Sequence, residues 1–257
     1  MGNFFVYTQR DRKWMVKMEI RCIWEHNGAD SLLYAENFIG AFTRGESLEV
    51  AKDKMSAEIQ SYLNWLGESV SEDIDIVITQ EKASELEIKD ADSDVLFDTE
   101  QNALTFAEYT RLKELALKSA EDFYRLFQSI PDKNKSDLPN RKTFYGQVPR
   151  TAEEMYQHTK NVNSYYFAEV NVDVDNEGTI FECRQHGFEL LEKRMNFLEN
   201  PVIEGSYGEL WSLRKMMRRF IWHDRIHAKA MWRMAKRTFQ ECEIADIFCF
   251  EEYERQN

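Results

Sequence analysis

The sequence predicts an α+β protein in which a small N-terminal antiparallel sheet with one helix is followed by an all-α four-helix bundle. The first indication is the stretch from Lys13 to Trp24, whose side chains alternate between apolar and polar as in a half-buried strand. The second is a set of four long helical patterns after residue 103, each of which opens with Ser or Thr three residues before Glu. This spacing is the capping box, which satisfies the first backbone N–H groups of a helix.

The N-terminal 80 residues contain the signals of one small module. Asn27-Gly28 follows the first strand as a turn, and residues 31–42 supply one or two further short strands. A helix begins at Ser47, because apolar side chains then recur at helical spacing as far as Leu63, and a last strand covers residues 75–79. We therefore expect residues 1–80 to form a sheet that is covered by one helix.

An acidic segment separates this module from the later helices. Residues 81–100 contain eight acidic side chains and two lysines, and no hydrophobic period continues through them. This composition predicts a connector over residues 81–102. Its apolar run Val95-Leu96-Phe97 is nevertheless expected to dock on a neighbouring element.

The second domain is predicted to cover residues 103–257. Its four helices are expected to extend from Thr105 to Ser129, from Thr151 to Glu169, from Thr179 to about Asn200, and from Ser206 to about Phe239. Each start is the Ser or Thr of a capping box, and Pro131 and Pro201 lie just beyond two of the predicted ends. Four long helices joined by loops favour a bundle.

Three histidines form a candidate metal site. The stretch from Leu213 to Arg237 contains no Gly or Pro, and His223 and His227 lie on the apolar stripe of the helix that it predicts. His158 lies on the apolar stripe of the second bundle helix. Because neutral imidazoles carry lone pairs that divalent ions bind, three inward-pointing histidines predict a metal site with positions left open for water or substrate. The alternative is that each histidine is hydrogen-bonded separately in the core.

Other polar side chains have weaker claims on the site. Tyr165 could donate a hydrogen bond to a metal-bound group, but a packed core tyrosine is the preferred interpretation. Glu169 could be an acid that supports the site or only a solvated helix end. His186 lies away from the main stripe of its helix and is expected to be peripheral, and His26, beside a turn, is expected to be solvated.

Composition excludes several classes of protein. The formal net charge of -13 argues against a nucleic-acid partner and against attraction to anionic membranes. The Arg and Lys face of the helix over residues 213–237 is expected to be solvated or neutralised by acidic neighbours. The 4 cysteines show no Cys-x-x-Cys spacing, which indicates free thiols. With neither a signal peptide nor a stretch able to span a bilayer, the sequence predicts a cytoplasmic protein.

Two segments resemble known families. Residues 38–49 read Phe-Ile-Gly-Ala-Phe-Thr-Arg-Gly-Glu-Ser-Leu-Glu and resemble the strand and helix entry of HicB-like domains, which implies a binding module or a homodimer. His158, together with Phe-Ile-Trp-His223-Asp-Arg-Ile-His227-Ala, resembles the DinB-like family over about residues 103–241. That resemblance implies an up-down-down-up four-helix bundle whose three histidines bind a divalent metal such as Zn, Ni, Mn or Fe.

The DinB-like resemblance also implies a class of reaction. Some members of the family are similar to metal-dependent transferases or isomerases that use a small thiol as substrate. In such a site the metal ion is a Lewis acid that lowers the pKa of a thiol or a water, which suits a thiol transferase or a related hydrolase or isomerase. The sequence does not identify a catalytic acid or base.

Two alternatives remain open at this point. His223-Asp-Arg-Ile-His227 approaches the His-Glu-x-x-His motif of zinc proteases, with the shorter Asp224 in the place of the catalytic Glu. The chain could also be a non-enzymatic interaction or regulatory protein whose metal is structural or vestigial. An enclosed metal site would favour this second alternative.

Overall fold

The computed structural model of the protein describes residues 5–10, 13–68, 73–143, 145–251 and 254. The chain forms two compact units. The first contains the residues up to Phe97 and the segment that begins at Phe248, and the second extends from Asp98 to Ile247. Sequence analysis assigned that last segment to the helical domain, but Phe248 stacks on Trp65 of the first unit with ring centroids 5.2 Å apart. Among the described residues, no helix has both the length and the apolar character that crossing a membrane requires.

The described residues of the first unit form a five-stranded sheet with one long helix. The strands are β1 (Phe5–Arg10), β2 (Lys13–Asn27), β3 (Asp30–Ala35), β4 (Phe42–Gly45) and β5 (Ile74–Ala83), and the helix is α1 (Leu48–Leu66). Ser47 caps α1 by accepting a hydrogen bond from the backbone N–H of Val50, as the sequence predicts. Gly67 ends it in the left-handed conformation.

The long strand β2 organises this sheet. It pairs with β1 along its first half, and with β3 and β5 along its second half. Met18, Ile20 and Cys22 are buried, which confirms the predicted alternation in this part of the strand. The side chains of Trp14 and Val16, with which that alternation begins, lie outside the described part of the structure.

The expectation of a purely antiparallel sheet is wrong, because β5 runs parallel to β2. The sheet is therefore mixed. The reason is the connection: a parallel partner needs a crossover rather than a tight turn, and α1 provides that crossover between β4 and β5. The alternation of apolar residues predicts a strand but contains no information about its direction.

The acidic segment is partly structured. Its first residues belong to β5, and single 3₁₀ turns cover Ile88–Asp90 and Asp98–Gln101. The predicted docking of Val95-Leu96-Phe97 is confirmed for Val95 and Phe97, which are buried, and the Phe97 ring packs 5.7 Å from that of Tyr34. The apolar run therefore anchors the segment to the first unit.

Four long helices lie in the described part of the second unit. They are α2 (Phe106–Ser129), α3 (Ala152–Ala168), α4 (Ile180–Glu192) and α5 (Leu213–Thr238). Two short hairpins lie between them, β6 (Lys142–Thr143) with β7 (Gly146–Gln147), and β8 (Ile203–Glu204) with β9 (Leu210–Trp211). The capping boxes predicted at Thr105, Thr151 and Thr179 are all present, each with its Glu three residues later.

Helix α2 packs against α3, α4 and α5, and α3 also packs against α4 and α5. The interior between them is aromatic: Phe167 contacts both Phe188 and Phe220, with ring centroids 5.4 and 5.3 Å apart. Gly187 permits this approach, because a Cβ at that position would lie 2.1 Å from the Phe167 ring. The contacts from these three aromatic residues therefore join α3, α4 and α5.

Two predicted helix boundaries are wrong. Helix α4 ends at Glu192 rather than near Asn200, because Asn196 and Asn200 adopt left-handed backbone angles that a helix cannot continue through. Helix α5 begins after Ser212 rather than Ser206, since Tyr207 is also left-handed and Glu209 pairs with Lys215 instead of forming a cap. Ser212 accepts the capping hydrogen bond from the N–H of Lys215.

A buried carboxyl in the first unit makes stability dependent on pH. Glu25 lies on β2, accepts a hydrogen bond of 2.5 Å from the Ser93 hydroxyl, and is fully buried. Burial raises the pKa of Glu25 to about 7. The folded state therefore holds this proton more tightly than the unfolded chain does, so stability falls as pH rises from about 4.3, the ordinary Glu value, to about 7.

We expect Glu25→Gln to flatten this pH dependence. In the parent the free energy of unfolding should fall by on the order of 2–3 kcal/mol between pH 5 and pH 8, beyond the change in the variant. Urea denaturation at a series of pH values measures the difference. Glu46→Gln, which removes an exposed carboxylate from the same unit, should retain the parent's slope; equal slopes in the parent and Glu25→Gln would contradict the prediction.

Candidate metal centre

The structure brings the three predicted histidines together. His223 and His227 lie one turn apart on α5, and His158 faces them from α3. The ring centroid of His158 is 5.2 Å from that of His223 and 4.6 Å from that of His227, and the two α5 rings are 4.4 Å apart. One ligand atom of each residue lies within 4.8 Å of the other two. Histidines 65 residues apart in sequence, at 158 and 223, therefore form one cluster.

The three histidines of the cluster differ in their solvent exposure. His223 is only 8% exposed, His227 is intermediate and His158 is exposed. The prediction that His158 points fully inward is therefore wrong. The buried stripe of α3 is centred on Met155, Thr159 and Asn163, which leaves His158 at its edge.

The buried polar residues of α3 explain this error. Thr159 and Asn163 are fully buried because their side chains donate to backbone carbonyls of their own helix, and Asn163 also accepts from Arg184. The apolar residues alone, among them Val162 and Tyr165, define a stripe along α3. That stripe is displaced around the helix, by about one residue position, from the stripe that is buried in the structure. His158 consequently connects the cluster to solvent.

Two imidazoles of the cluster, those of His223 and His158, are disposed to stay neutral. Burial holds the pKa of His223 well below its usual range, and the charges of His227, His158 and Arg219 lower it further. The protein atoms around His158 also lower its pKa, because they partly desolvate the ring although the residue is exposed overall. Unprotonated rings are the form that binds a metal ion.

One ring nitrogen of the cluster lacks a hydrogen-bond partner among the described residues. The Nδ1 atom of His223 is buried and has no hydrogen-bond partner among the described residues. This observation does not support the alternative in which each histidine is hydrogen-bonded separately. A metal ion with bonds of about 2.0–2.1 Å to nitrogen holds tetrahedral ligands about 3.4 Å apart, so small ring rotations bring atoms within 4.8 Å into range. The residues present therefore fit a divalent ion.

A buried ion pair lies on the neighbouring face of α5. Arg184 of α4 and Asp224 of α5 are both fully buried, and the guanidinium binds the carboxylate through both terminal nitrogens. Arg184 also donates to Asn163 Oδ1 at 3.0 Å and to the carbonyl of Ala116 at 2.9 Å. Ser119 of α2 donates to Asp224 Oδ2 at 2.6 Å. These hydrogen bonds connect α2, α3, α4 and α5.

Sequence analysis missed this ion pair, although one signal was available. Asp224 lies on one stripe of α5, and the five remaining members of that stripe are all apolar and buried: Met217, Ile221, Ala228, Met231 and Ala235. A lone acid in such a stripe indicates a buried partner. The burial of Asp224 also removes the zinc-protease alternative, because its carboxylate is occupied by Arg184 and Ser119 and is closed to solvent.

The structure places each of the three weaker candidates, Glu169, Tyr165 and His186. Glu169 is buried rather than solvated, and its Oε2 accepts a hydrogen bond of 2.8 Å from the N–H of Ser206. The Tyr165 ring packs against the rings of Tyr166 and Trp211, as expected for a core tyrosine. His186 is exposed and lies outside the cluster, as expected.

The remaining polar expectations have mixed outcomes. His26 is not simply solvated: its ring stacks on Trp24, and its Nε2 lies 3.2 Å from Glu81 Oε1. The four cysteines, at positions 22, 183, 242 and 249, are free thiols, as predicted.

Three of the cations of α5 are neutralised by acids, one of the two predicted outcomes. Arg214 pairs with Glu108, Lys215 with Glu209 and Arg218 with Glu100. Lys215 and Arg218 are also buried. The other expected outcome, a solvated face, is therefore wrong for Arg218, Arg225 and Lys229, which are buried.

Comparisons with protein-family models, with curated proteins and with solved structures find no match for this chain.

We expect Asp224→Asn to destabilise the protein by about 3–5 kcal/mol, because Arg184 would remain charged and buried without a counter-ion. Urea denaturation measures the loss. The matched control is Arg125→Met, which breaks a pair with Asp122 whose arginine is 55% exposed and should cost less than about 1 kcal/mol.

A double variant, Arg184→Met with Asp224→Leu, should recover much of the lost stability, since it leaves no unpaired charge. If the double variant is as unstable as the sum of its single changes, the unpaired charge is not the cause.

Proposed function

We propose that the second unit is a DinB-like four-helix bundle that binds a divalent metal ion through His158, His223 and His227 and is a metal-dependent thiol transferase, or a related hydrolase or isomerase. The observation that carries the proposal is the cluster itself. Three imidazoles from two helices converge within 4.8 Å, and one of them is exposed to solvent. Three-histidine sites with an open side are typical of catalytic metals.

The directions of the helices support the bundle. Contacts between α2 and α5 advance in the same direction along both helices, from Glu108 with Arg214 to Ser119 with Asp224. Those between α2 and α4 advance in opposite directions, since Lys113 contacts Glu192 whereas Ala116 contacts Arg184.

The two remaining pairs complete the pattern. Helices α3 and α4 run parallel, as Asn163 contacts Arg184 and Phe167 contacts Phe188. Helices α3 and α5 run antiparallel, as His158 faces His227 whereas Tyr166 faces Phe220. These directions support the proposed up-down-down-up order of the helices.

The roles of the three histidines follow from their surroundings. His223 and His227 have fixed positions on one side of the site, because the buried ion pair between Asp224 and Arg184 holds α5 in place. His158 completes the ligand set at the solvent side. Imidazole ligands suit Zn, Ni or Fe, and the resemblance adds Mn. The ion supplies Lewis acidity, which makes a thiol or a water a nucleophile near neutral pH.

The alternative is a non-enzymatic interaction or regulatory protein with a structural or vestigial metal. Structural sites are usually enclosed by four protein ligands. Among the described residues, the cluster contains three, and His158 is exposed. This openness favours the catalytic proposal over the structural one.

We expect purified protein to take up about one divalent ion per chain, and His158→Ala and His223→Ala each to lose it, because two imidazoles leave the ion weakly held. Elemental analysis after dialysis against trace metal measures the content. His186→Ala, which removes an exposed histidine outside the cluster, should bind as the parent does. Full metal retention in both cluster variants would falsify the site.

The proposed reaction is tested separately. Metal-loaded parent, metal-free parent and His223→Ala should be mixed with a panel of small thiols and electrophiles, and thiol consumption followed. We expect turnover only in the loaded parent, since the metal lowers the thiol pKa. Metal uptake without any turnover across the panel would favour the structural alternative.

A further inference from the structure

One edge of the sheet in the first unit is open. Strand β5 pairs with β2, and no other described strand pairs with β5. We propose that this edge is a homodimer interface, in which β5 of one chain pairs antiparallel with β5 of a second copy around a two-fold axis at Ile76. The proposal is independent of the metal function of the second unit.

The backbone of β5 presents three residues to a further strand. Met18 is paired with Ile74, and the N–H of Met18 donates to the carbonyl of Asp73. In a parallel ladder the two residues that flank a paired residue bond to the neighbouring strand, and this alternation continues along β5. The N–H and C=O groups of Ile74, Ile76 and Ile78 therefore point away from β2, where no described strand meets them.

The side chains of the same three isoleucines extend the hydrophobic layer of the first unit to this edge. Ile76 and Ile78 are paired with Ile20 and Cys22 of β2, which are fully buried. Paired residues of neighbouring strands point to the same face of a sheet. The isoleucines of β5 are nevertheless only partly buried. A further strand at this edge would continue the layer and cover them.

The first half of β5 lacks the features that usually keep edge strands apart, which are charges, proline and bulges. Residues 74–79 read Ile-Asp-Ile-Val-Ile-Thr and contain one charge and no proline. The bulge of β5 comes only after Ile78, where its register with β2 shifts, and Glu81 and Lys82 follow that bulge. The part of the edge before the bulge is therefore suited to pairing.

This part of the edge is complementary to itself. A two-fold axis makes two copies of one strand antiparallel, and an axis at Ile76 places Ile76 opposite its own copy and Ile74 opposite Ile78. No other axis position pairs all three outward-facing isoleucines with one another. Their backbone groups then exchange hydrogen bonds in both directions. Asp75 lies opposite Val77, so like charges do not face each other in this stretch. The complementarity favours a second copy of the chain as the partner.

The first test is the mass of the full-length protein in solution, measured by sedimentation equilibrium over a range of concentrations. We expect a species with twice the 30.6 kDa mass of the chain, which dissociates on dilution. Ile76→Pro should stay monomeric where the parent is dimeric. Proline removes the N–H at the two-fold axis but is tolerated at an edge position whose N–H points outward.

Circular dichroism shows whether Ile76→Pro is folded. The proposal is overturned if the parent is monomeric at every concentration, or if folded Ile76→Pro dimerises as the parent does, because the dimer would then use another surface.

A second test uses charge at an exposed position and does not alter the core. Val77 is 36% exposed, and in the proposed pair it faces Asp75 of the second copy. We expect Val77→Lys to lower the dissociation constant of the dimer about fivefold, since opposite charges then face each other, and Val77→Glu to raise it by about the same factor.

Leu210→Lys and Leu210→Glu are the matched controls, because they make the same changes in net charge at an exposed residue of the second unit. Both should dimerise as the parent does. The proposed register is wrong if the two Val77 variants do not shift the dissociation constant in opposite directions, or if the Leu210 variants show the same difference. This comparison decides the proposal even where Ile76→Pro does not fold.

Discussion

The buried ion pair between Arg184 and Asp224 is the constraint on which the second unit depends. Two opposite charges that are fully excluded from solvent are tolerated only when their hydrogen-bonding atoms are satisfied. Arg184 meets this demand through Asp224, Asn163 and the carbonyl of Ala116, and Asp224 through Arg184 and Ser119. A slide of any one of the four helices would leave a buried charge incompletely paired. The pair therefore selects one register of the helices.

The position of the histidines follows from that register. Neighbouring residues on a helix point about 100° apart, so a fixed direction for Asp224 also fixes the direction of His223. Asp224 turns toward α2 and α4, while His223 and His227 turn toward α3 and meet His158. Burial then lowers the pKa of His223, which favours the unprotonated ring.

Local patterns in the sequence were enough to predict most elements. The capping boxes at Thr105, Thr151 and Thr179 and the cap at Ser47 each involve residues within one helical turn, so they can be read without knowing the fold. Ser206 with Glu209 has the same spacing but begins no α-helix. There the backbone at Tyr207 is left-handed and Glu209 binds Lys215, which no local pattern reveals.

Hydrophobic period and residue chemistry are local properties, so the types of element and the three histidines could be predicted from the order of the amino acids. That β5 runs parallel to β2, that His158 lies at the solvent edge of the cluster and that Asp224 faces Arg184 is visible only in the folded chain. Each of these depends on contacts between residues distant in the chain. Whether a charged or polar side chain is buried is decided by the partner it meets there.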